Sequence, residues 1–261
     1  MNKVYVLLIF TLGAVIPGVA SAELVVGDAF ADRLAMVDLQ TGQLTEYANV
    51  GTPHIVSLAY DDLSGAAYCS DTSEGVNQVL AIDLTTGATS LLVQVPDFWT
   101  VLHSTAVDPA TGELYAIDQE HGILYRVDTV AGQLVEVGPT GVYWMTGADF
   151  DPTTGLLYVC VGGLDDSGAL YTVDTATGQA TFVASTHRLM SLAFDPEGQL
   201  YGVNNAWYPA DPGLYRIDKV TGAWEELGVY PGRNLLSMEW ADLGIVAVER
   251  RTMSDIKALF N

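Results

Sequence analysis

The sequence is poor in basic residues. It contains 10 Lys and Arg against 32 Asp and Glu, which gives a formal net charge of -22. So large an excess of negative charge repels phosphate backbones and anionic lipid. The composition therefore excludes direct nucleic-acid binding, and it favours neutral or cationic partners.

Long apolar segments are also scarce, and only the first 22 residues are strongly apolar. Lys3 precedes an apolar core, Val4–Ile16, and Ala20-Ser21-Ala22 fits a small-residue cleavage site. This pattern predicts a signal peptide at 1–22, cleaved after Ala22, and a secreted or periplasmic protein. A transmembrane anchor is the alternative, but the apolar run is short for spanning. No membrane insertion is expected after cleavage.

What the sequence does contain is a repeat, present in five copies at 33–47, 79–93, 124–138, 170–184 and 214–228. Its anchoring residues, spaced 45, 45, 46 and 44 residues apart, are Asp38, Asp83, Asp128, Asp174 and Asp218. A period in the forties with about four short strands per repeat is typical of a β-propeller. The repeat predicts an all-β fold, a single β-propeller of five four-stranded blades over 23–251, with a C-terminal tail at 252–261.

The two ends of the propeller complement each other. The N-terminal repeat lacks an innermost strand, and Leu235–Trp240 near the C-terminus supplies one. Closing the ring with N- and C-terminal strands removes exposed sheet edges and predicts a monomer. Leu24–Gly27 and Gly244–Val248 both qualify as the second strand of this blade, and the pattern does not choose between them. A ring completed by a partner chain is the less simple arrangement.

Two features of the repeat bear on metals and disulfides. Cys69 and Cys160 fall at nearly equivalent places two repeats apart, so buried thiols are favoured over a disulfide or a metal ligand. The D-x-x-T-G and D-P-x-(T)-G turns recur in the blades, which indicates structural turns rather than calcium loops. No cofactor is predicted, and calcium is left possible. A zinc site formed by His54, His103 and His187 is disfavoured because the three residues do not share one strand level.

The repeats diverge on the side of the ring opposite these turns. There the connections into the innermost strands and the longer loops carry aromatic, basic and imidazole groups, which together describe a ligand-binding mouth. The candidate ligand-binding residues are His54, Trp99, His103, Tyr143, Trp144, His187, Arg188, Trp207, Arg233 and Asn234. The alternative is that these aromatics only plug the ring or pack between blades.

A second candidate lies on the turn side. Asp149 and Glu239 are the only carboxylates in an otherwise alanine column of the innermost strands. Such a pair could act as general acid and base in glycoside hydrolysis. Its distance from the aromatic mouth weighs against that role.

The repeats resemble extracytoplasmic propellers of the NHL-like, YVTN-like and quinoprotein-like groups. The matching segments are Leu124–Asp128, Leu170–Asp174, Leu214–Asp218, Ala193–Tyr201 and Asp108–Tyr115. The resemblance implies the fold across the mature chain but not one activity, because such repeats occur in binding proteins and enzymes alike. The tryptophan-docking signature of quinone-cofactor propellers is absent.

The leading functional hypothesis is an exported binding protein for a small ligand, a glycan or a protein, without catalysis. The alternative is a propeller-type hydrolase or lyase, lactonase- or glycosidase-like, in which a divalent metal and His54, His103 or His187 take part. A structural domain of the cell envelope is a third reading.

Overall fold

The fold is a five-bladed β-propeller, as the repeat predicts. The computed structural model describes residues 22–52, 54–73, 76–95, 99–162, 167–204 and 211–243. Within these ranges it contains 20 β-strands, arranged as five antiparallel four-stranded sheets, and no α-helix. The predicted signal peptide, except Ala22, and the predicted tail lie outside the described residues. In the described part of the chain, no helix has the length and apolar character needed to cross a membrane.

Four blades are continuous in sequence, and their strands are given from the ring centre outward. Blade 2 contains β4 (Ile55–Asp61), β5 (Ala66–Asp71), β6 (Gln78–Ile82) and β7 (Thr89–Gln94). Blade 3 contains β8 (Leu102–Val107), β9 (Leu114–Asp118), β10 (Ile123–Asp128) and β11 (Gln133–Pro139). Blade 4 contains β12 (Met145–Phe150), β13 (Leu157–Gly162), β14 (Ser167–Val173) and β15 (Ala180–His187). Blade 5 contains β16 (Ser191–Phe194), β17 (Leu200–Val203), β18 (Gly213–Ile217) and β19 (Trp224–Val229).

Blade 1 closes the ring with strands from both ends of the described chain. From the centre outward it contains β20 (Leu235–Ala241), β1 (Glu23–Asp28), β2 (Arg33–Asp38) and β3 (Gln43–Asn49). β20 contacts the innermost strands of both neighbouring blades, β4 and β16. The segment that begins at Leu24 is therefore the second strand, while Gly244–Val248 lies outside the described residues.

The repeated leucine of the third strand forms the core between blades. In four blades this residue has no solvent exposure, at Leu34, Leu124, Leu170 and Leu214. Burying a leucine side chain contributes roughly 2 kcal/mol to the stability of the fold, so the repeated leucine stabilises each of these blades by a similar amount. Cys69 and Cys160 are buried free thiols, as predicted, and burial raises the pKa of the Cys160 thiol to about 12.

The aspartates of the repeat cap turns, which explains their regular spacing. Asp83 Oδ1 accepts hydrogen bonds from the backbone N–H groups of Thr85 at 2.8 Å and Thr86 at 3.2 Å. Gly87 follows with φ of +75°, and a Cβ there would lie 2.0 Å from the backbone oxygen of Asn49. Only glycine fits this position, so the recurring form of the turn has a structural role in closing the hairpin.

The strand directions give the ring two different sides. The turn side carries the short connections between first and second strands and between third and fourth strands. The loop side carries the connections between second and third strands and the interblade connections that precede each innermost strand.

Candidate functional site

The loop-side end of the central channel is filled by side chains. In four innermost strands one residue is inserted as a β-bulge, and these residues are Val56, His103, Thr146 and Leu236. A bulge re-aims the inserted side chain relative to the normal alternation of a strand. Val56 and Leu236 pack with Met190 of blade 5, and all three are buried. A ligand that approaches from this side therefore meets the rim of the ring rather than a channel.

His103 is held within this packing and joins two blades. Its Nδ1 lies 3.1 Å from the backbone oxygen of Thr146 on the neighbouring innermost strand. Burial lowers the pKa of the imidazole below its ordinary value. The ring is therefore neutral at pH 7, and Nδ1–H donates to the carbonyl.

The loop between β9 and β10 organises the rim at blade 3. Asp118, which ends β9, is fully buried. Its Oδ1 accepts hydrogen bonds from the backbone N–H groups of Val101 at 3.1 Å and Glu120 at 3.0 Å. Its Oδ2 lies 2.6 Å from Nδ1 of His121, whose side chain is half exposed. One carboxylate thus fixes both the loop and the interblade connection before β8.

The same loop also holds the interblade connection before β12. The N–H of Trp144 donates to the backbone oxygen of Gln119 at 3.0 Å, and the N–H of Gln119 donates to Val101 at 2.9 Å. Thr140 adds a second link, because its Oγ1 donates to the backbone oxygen of Gly122 at 2.8 Å. The connections on both sides of blade 3 are therefore tied to one rigid loop.

Three aromatic side chains on these connections are exposed. Trp99 is 70% exposed, Tyr143 is 58% exposed and Trp144 is 47% exposed. We call these three residues the aromatic rim surface. Trp144 also has a left-handed backbone, with φ of 62°, which is strained for a bulky residue. The structure thus keeps a half-exposed tryptophan in a strained backbone conformation.

His54 occupies the corresponding position before β4, in blade 2. It too has a left-handed backbone, with φ of 61°, and it is exposed. The structure therefore places it on the loop-side rim, on a different blade from the aromatic rim surface. Trp207, the remaining predicted aromatic, lies outside the described residues.

His187 belongs to an aromatic cluster between blades 4 and 5. Its ring centroid lies 4.5 Å from that of Tyr215 and 4.8 Å from that of Trp224. Its Nε2 is 3.2 Å from Nδ2 of Asn204. The next residue, Arg188, is half buried. His187 is thus brought together with outer-strand aromatics of blade 5 and not with His54 or His103.

Arg233 and Asn234 are tied to blade 1. Arg233 Nη1 forms ion pairs with Asp28, at 3.0 Å, and with Glu46. Asn234 is buried, and its N–H donates to Asp28 Oδ1 at 3.2 Å. These contacts give both residues a part in closing the ring.

Comparison of the blades identifies a position that the sequence analysis missed. In four blades an Asp or Asn stands at the end of the second strand. Three of these strands end with Asp28, Asp71 and Asp118, and Asn204 directly follows the fourth. Each of these side chains accepts a hydrogen bond from a backbone N–H of its own loop. Blade 4 has Gly162 at this position, and its N–H donates to the backbone oxygen of Trp144 at 3.2 Å. Aligning the repeats on their second strands would have shown both the rule and the exception.

On the turn side the channel opens into a cavity of about 130 Å³. All five blades contribute to its lining, which includes Asp149, Glu239, Asp62, Tyr60 and Trp240. This cavity contains the carboxylate pair that the alanine column of the sequence indicates.

Both carboxyl groups of the pair bind backbone N–H groups. Asp149 accepts from Phe150 and from Phe194 of the next innermost strand, each at 2.7 Å. Glu239 Oε1 accepts from Trp240 at 2.8 Å. Burial raises the pKa of Asp149 to about 7. Burial, and then repulsion by Asp149, raise the pKa of Glu239 well above its ordinary value.

The residues do not converge on a metal-binding arrangement. Across the described ranges, no group of three or more His, Cys, Asp or Glu side chains could hold a metal ion. His54, His103 and His187 lie apart, on blade 2, blade 3 and the boundary of blades 4 and 5.

Solved structures share the fold at low sequence identity. A chain of a nidogen/laminin complex is 14% identical with a TM-score of 0.60, covering 84% of this chain and 98% of that one. The PQQ-bound aldose sugar dehydrogenase of Streptomyces coelicolor is 17% identical with a TM-score of 0.51, covering 83% and 81%. A protein of unknown function from Bacteroides thetaiotaomicron is 12% identical with a TM-score of 0.55, covering 79% and 58%. At these identities the likeness concerns the fold alone.

No curated protein shows significant sequence similarity to the chain. One repeat family does, the DUF6923 repeat of unknown function, and it matches residues 103–238. The match begins in β8 of blade 3 and ends in β20, so it includes the blades that carry Tyr143 and Trp144. It spans more than half of the 261 residues, and the chain belongs to the DUF6923 repeat family.

Proposed function

We propose that this propeller is an exported binding protein that recognises a protein or a glycan through the aromatic rim surface. Export is part of the proposal because the first 22 residues have the pattern of a signal peptide. Recognition is assigned to the loop side because there the blades differ most from one another.

The conformation of Trp144 is the observation that carries the proposal. A left-handed backbone is normally occupied by glycine, and a bulky residue there costs on the order of 1 kcal/mol or more. The contacts of Trp144 with Gln119 and Gly162 hold that backbone in place. The ring nevertheless remains exposed, so packing does not compensate for the strain. A bound partner would.

The chemistry of the surface indicates the class of partner. Tryptophan and tyrosine supply rigid, amphipathic faces that stack on sugar rings or pack against side chains. The net charge of -22 favours a neutral or cationic partner over an anionic one. Neutral glycans and basic polypeptides both meet these requirements. An extended ligand can contact several residues of the aromatic rim surface at once, which a small molecule cannot.

The test is a titration of the purified protein with neutral oligosaccharides and with Lys- and Arg-rich peptides, followed by tryptophan fluorescence. Trp144→Ala should lower the affinity about 30-fold, as expected for the loss of a central aromatic contact. Trp99→Ala and Tyr143→Ala should have smaller effects in the same direction.

Phe182→Ala is the matched control. Phe182 is 55% exposed, close to the value for Tyr143, but lies on the outermost strand β15. Its removal should leave the affinity unchanged. Binding that survives simultaneous loss of Trp99, Tyr143 and Trp144 would refute the proposal.

A further inference from the structure

The turn-side cavity contains two buried carboxyl groups without a cationic partner. Asp149 and Glu239 are 7% and 6% exposed. Neither forms an ion pair with any side chain in the described ranges. Lys219, the nearby cation, is committed to Asp151, with Nζ 2.6 Å from Oδ2. A buried carboxylate without a counter-charge is costly, so the cavity is suited to a cation.

The start of β1 lies at this cavity. Ala22 lines it, together with both carboxyl groups. Glu23 begins β1 and pairs with Ala241, and Val25 pairs with Glu239 itself. The peptide bond between Ala22 and Glu23 therefore adjoins the buried carboxyl pair.

The same bond is the predicted cleavage site of the signal peptide. We propose that the turn-side cavity is a binding site for the chain's own amino terminus, in which the α-ammonium group of Glu23 pairs with Glu239 and Asp149 after processing. Hydrolysis adds one water across the bond, leaving a carboxylate on Ala22 and an –NH₃⁺ group on Glu23. Departure of Ala22 also frees the space that this residue fills in the cavity.

The chemistry of the partners is complementary. An ammonium group has three N–H donors, and each carboxylate retains acceptor sites beside the backbone hydrogen bonds that it already accepts. The other carboxylates that face the pair are Asp62, which faces both groups, and Asp151, which faces Asp149. Asp62 adds negative potential at the rim, whereas Lys219 offsets Asp151. Pairing fixes the processed end of the chain to innermost strands on two sides of the ring.

Two matched proteins test the proposal. One begins at Glu23, and the other begins at Ser21, so its α-amino group lies two residues before Glu23. An ion pair with carboxylates raises the pKa of an amine and slows its acylation at neutral pH. The terminus at Glu23 should react about tenfold more slowly with an amine-selective acylating reagent at pH 7.

Substitution of the carboxyl groups should remove this difference. In the protein that begins at Glu23, Glu239→Gln and Asp149→Asn should each raise the acylation rate towards that of the longer protein. Asp128→Asn, a change in an exposed turn of the same side, should leave the rate unchanged. If the carboxyl variants do not fold, the comparison of the two chain lengths still decides, because it leaves all side chains of the propeller intact.

Three results would overturn the proposal. The first is equal acylation rates for the two chain lengths. The second is a slow rate at Glu23 that persists in folded Glu239→Gln and Asp149→Asn variants. The third is a mass spectrum of the exported protein that shows an amino terminus other than Glu23.

Discussion

The two sides of the ring solve the same problem of closing a channel in different ways. On the loop side, β-bulges turn Val56, His103 and Leu236 inward, and the exposed aromatic side chains lie on the rim. On the turn side the channel keeps a cavity with a buried carboxyl pair. The loop side thus has strained and exposed groups around a filled centre, whereas the turn side has regular turns around a cavity that contains two buried carboxyl groups.

The difference between the two sides shows that the parts of the repeat needed for folding and the parts free to vary lie at opposite ends of the strands. The turns are nearly identical because every blade needs a tight hairpin with a capped end. The loop side varies because its connections only have to reach the next blade. Departures from the repeat, such as Trp144, Gly162 and Asp149 in blade 4, are therefore the places to look for function.

The largest effect is expected from Asp118→Ala on the loop side. The change leaves the backbone N–H groups of Val101 and Glu120 without the Asp118 acceptor, and it removes one ion-pair partner of His121. The free energy of unfolding should fall by about 3 kcal/mol, measured by urea denaturation. Asp128→Ala in the turn of the same blade should cost much less, because Asp128 is only partly buried. Equal losses of unfolding free energy in the two variants would contradict the conclusion that the loop between β9 and β10 holds both neighbouring interblade connections.

The carboxyl pair should make stability fall as pH rises. The pKa of Asp149 is raised in the folded protein to about 7, so the folded state binds more protons than the unfolded state between about pH 4 and pH 7. Stability from this group is complete below pH 4 and is lost across that window. In a chain that retains Ser21 and Ala22, Asp149→Asn should flatten the decrease in Tm. An unchanged slope would show that the group titrates normally.

Trp144→Gly should separate stability from binding. Glycine relieves the left-handed strain, so the free energy of unfolding should rise by about 1 kcal/mol. Binding at the aromatic rim surface should be lost at the same time. His54→Gly relieves the same kind of strain in blade 2 and should keep binding. A loss of binding in both variants would mean that the ligand covers more of the rim than blades 3 and 4.

The smallest effect is expected from Phe182→Ala, on neither side of the ring. The side chain is exposed on β15 and packs edge-on against Tyr171, with ring centroids 5.5 Å apart. The free energy of unfolding should change by no more than about 0.5 kcal/mol. A larger loss, by urea denaturation, would show that the outermost strands contribute more than their exposure indicates.

Most of the fold can be predicted from the sequence because each blade repeats the same residue types at the same structural positions. The leucine of the third strand, the capping aspartate and the turn glycine each have a role that can be stated without knowing the neighbours. The choice between Leu24–Gly27 and Gly244–Val248 could not be made in this way. It depends on pairing with β20, which lies at the other end of the described chain.

The candidate site was less accessible to sequence reasoning. The prediction grouped His103 with the mouth residues, but a bulge re-aims it towards Thr146, and a bulge is a property of two paired strands. The sequence also suggests Arg233 as a ligand contact, but in the structure its guanidinium forms an ion pair with Glu46. Glu46 is distant in the sequence, so this pair could not be predicted from the pattern. The ligand-binding role of all these residues stays a prediction. Exposure and strain at Trp144 became visible only in three dimensions.

Closure of the ring by β1 and β20 has a kinetic consequence. The register joins Val25 to Glu239, so β1, which is synthesised before blades 2 to 5, waits for β20, which is synthesised after them, before blade 1 can form. Until then β1, β2 and β3 can pair only as a three-stranded sheet in which β1 is an open edge, and an open edge invites association with other chains. Such high contact order predicts slow folding, limited by the final blade. A circular permutant that starts at the connection between blades 1 and 2 would make all five blades continuous, and it should refold faster.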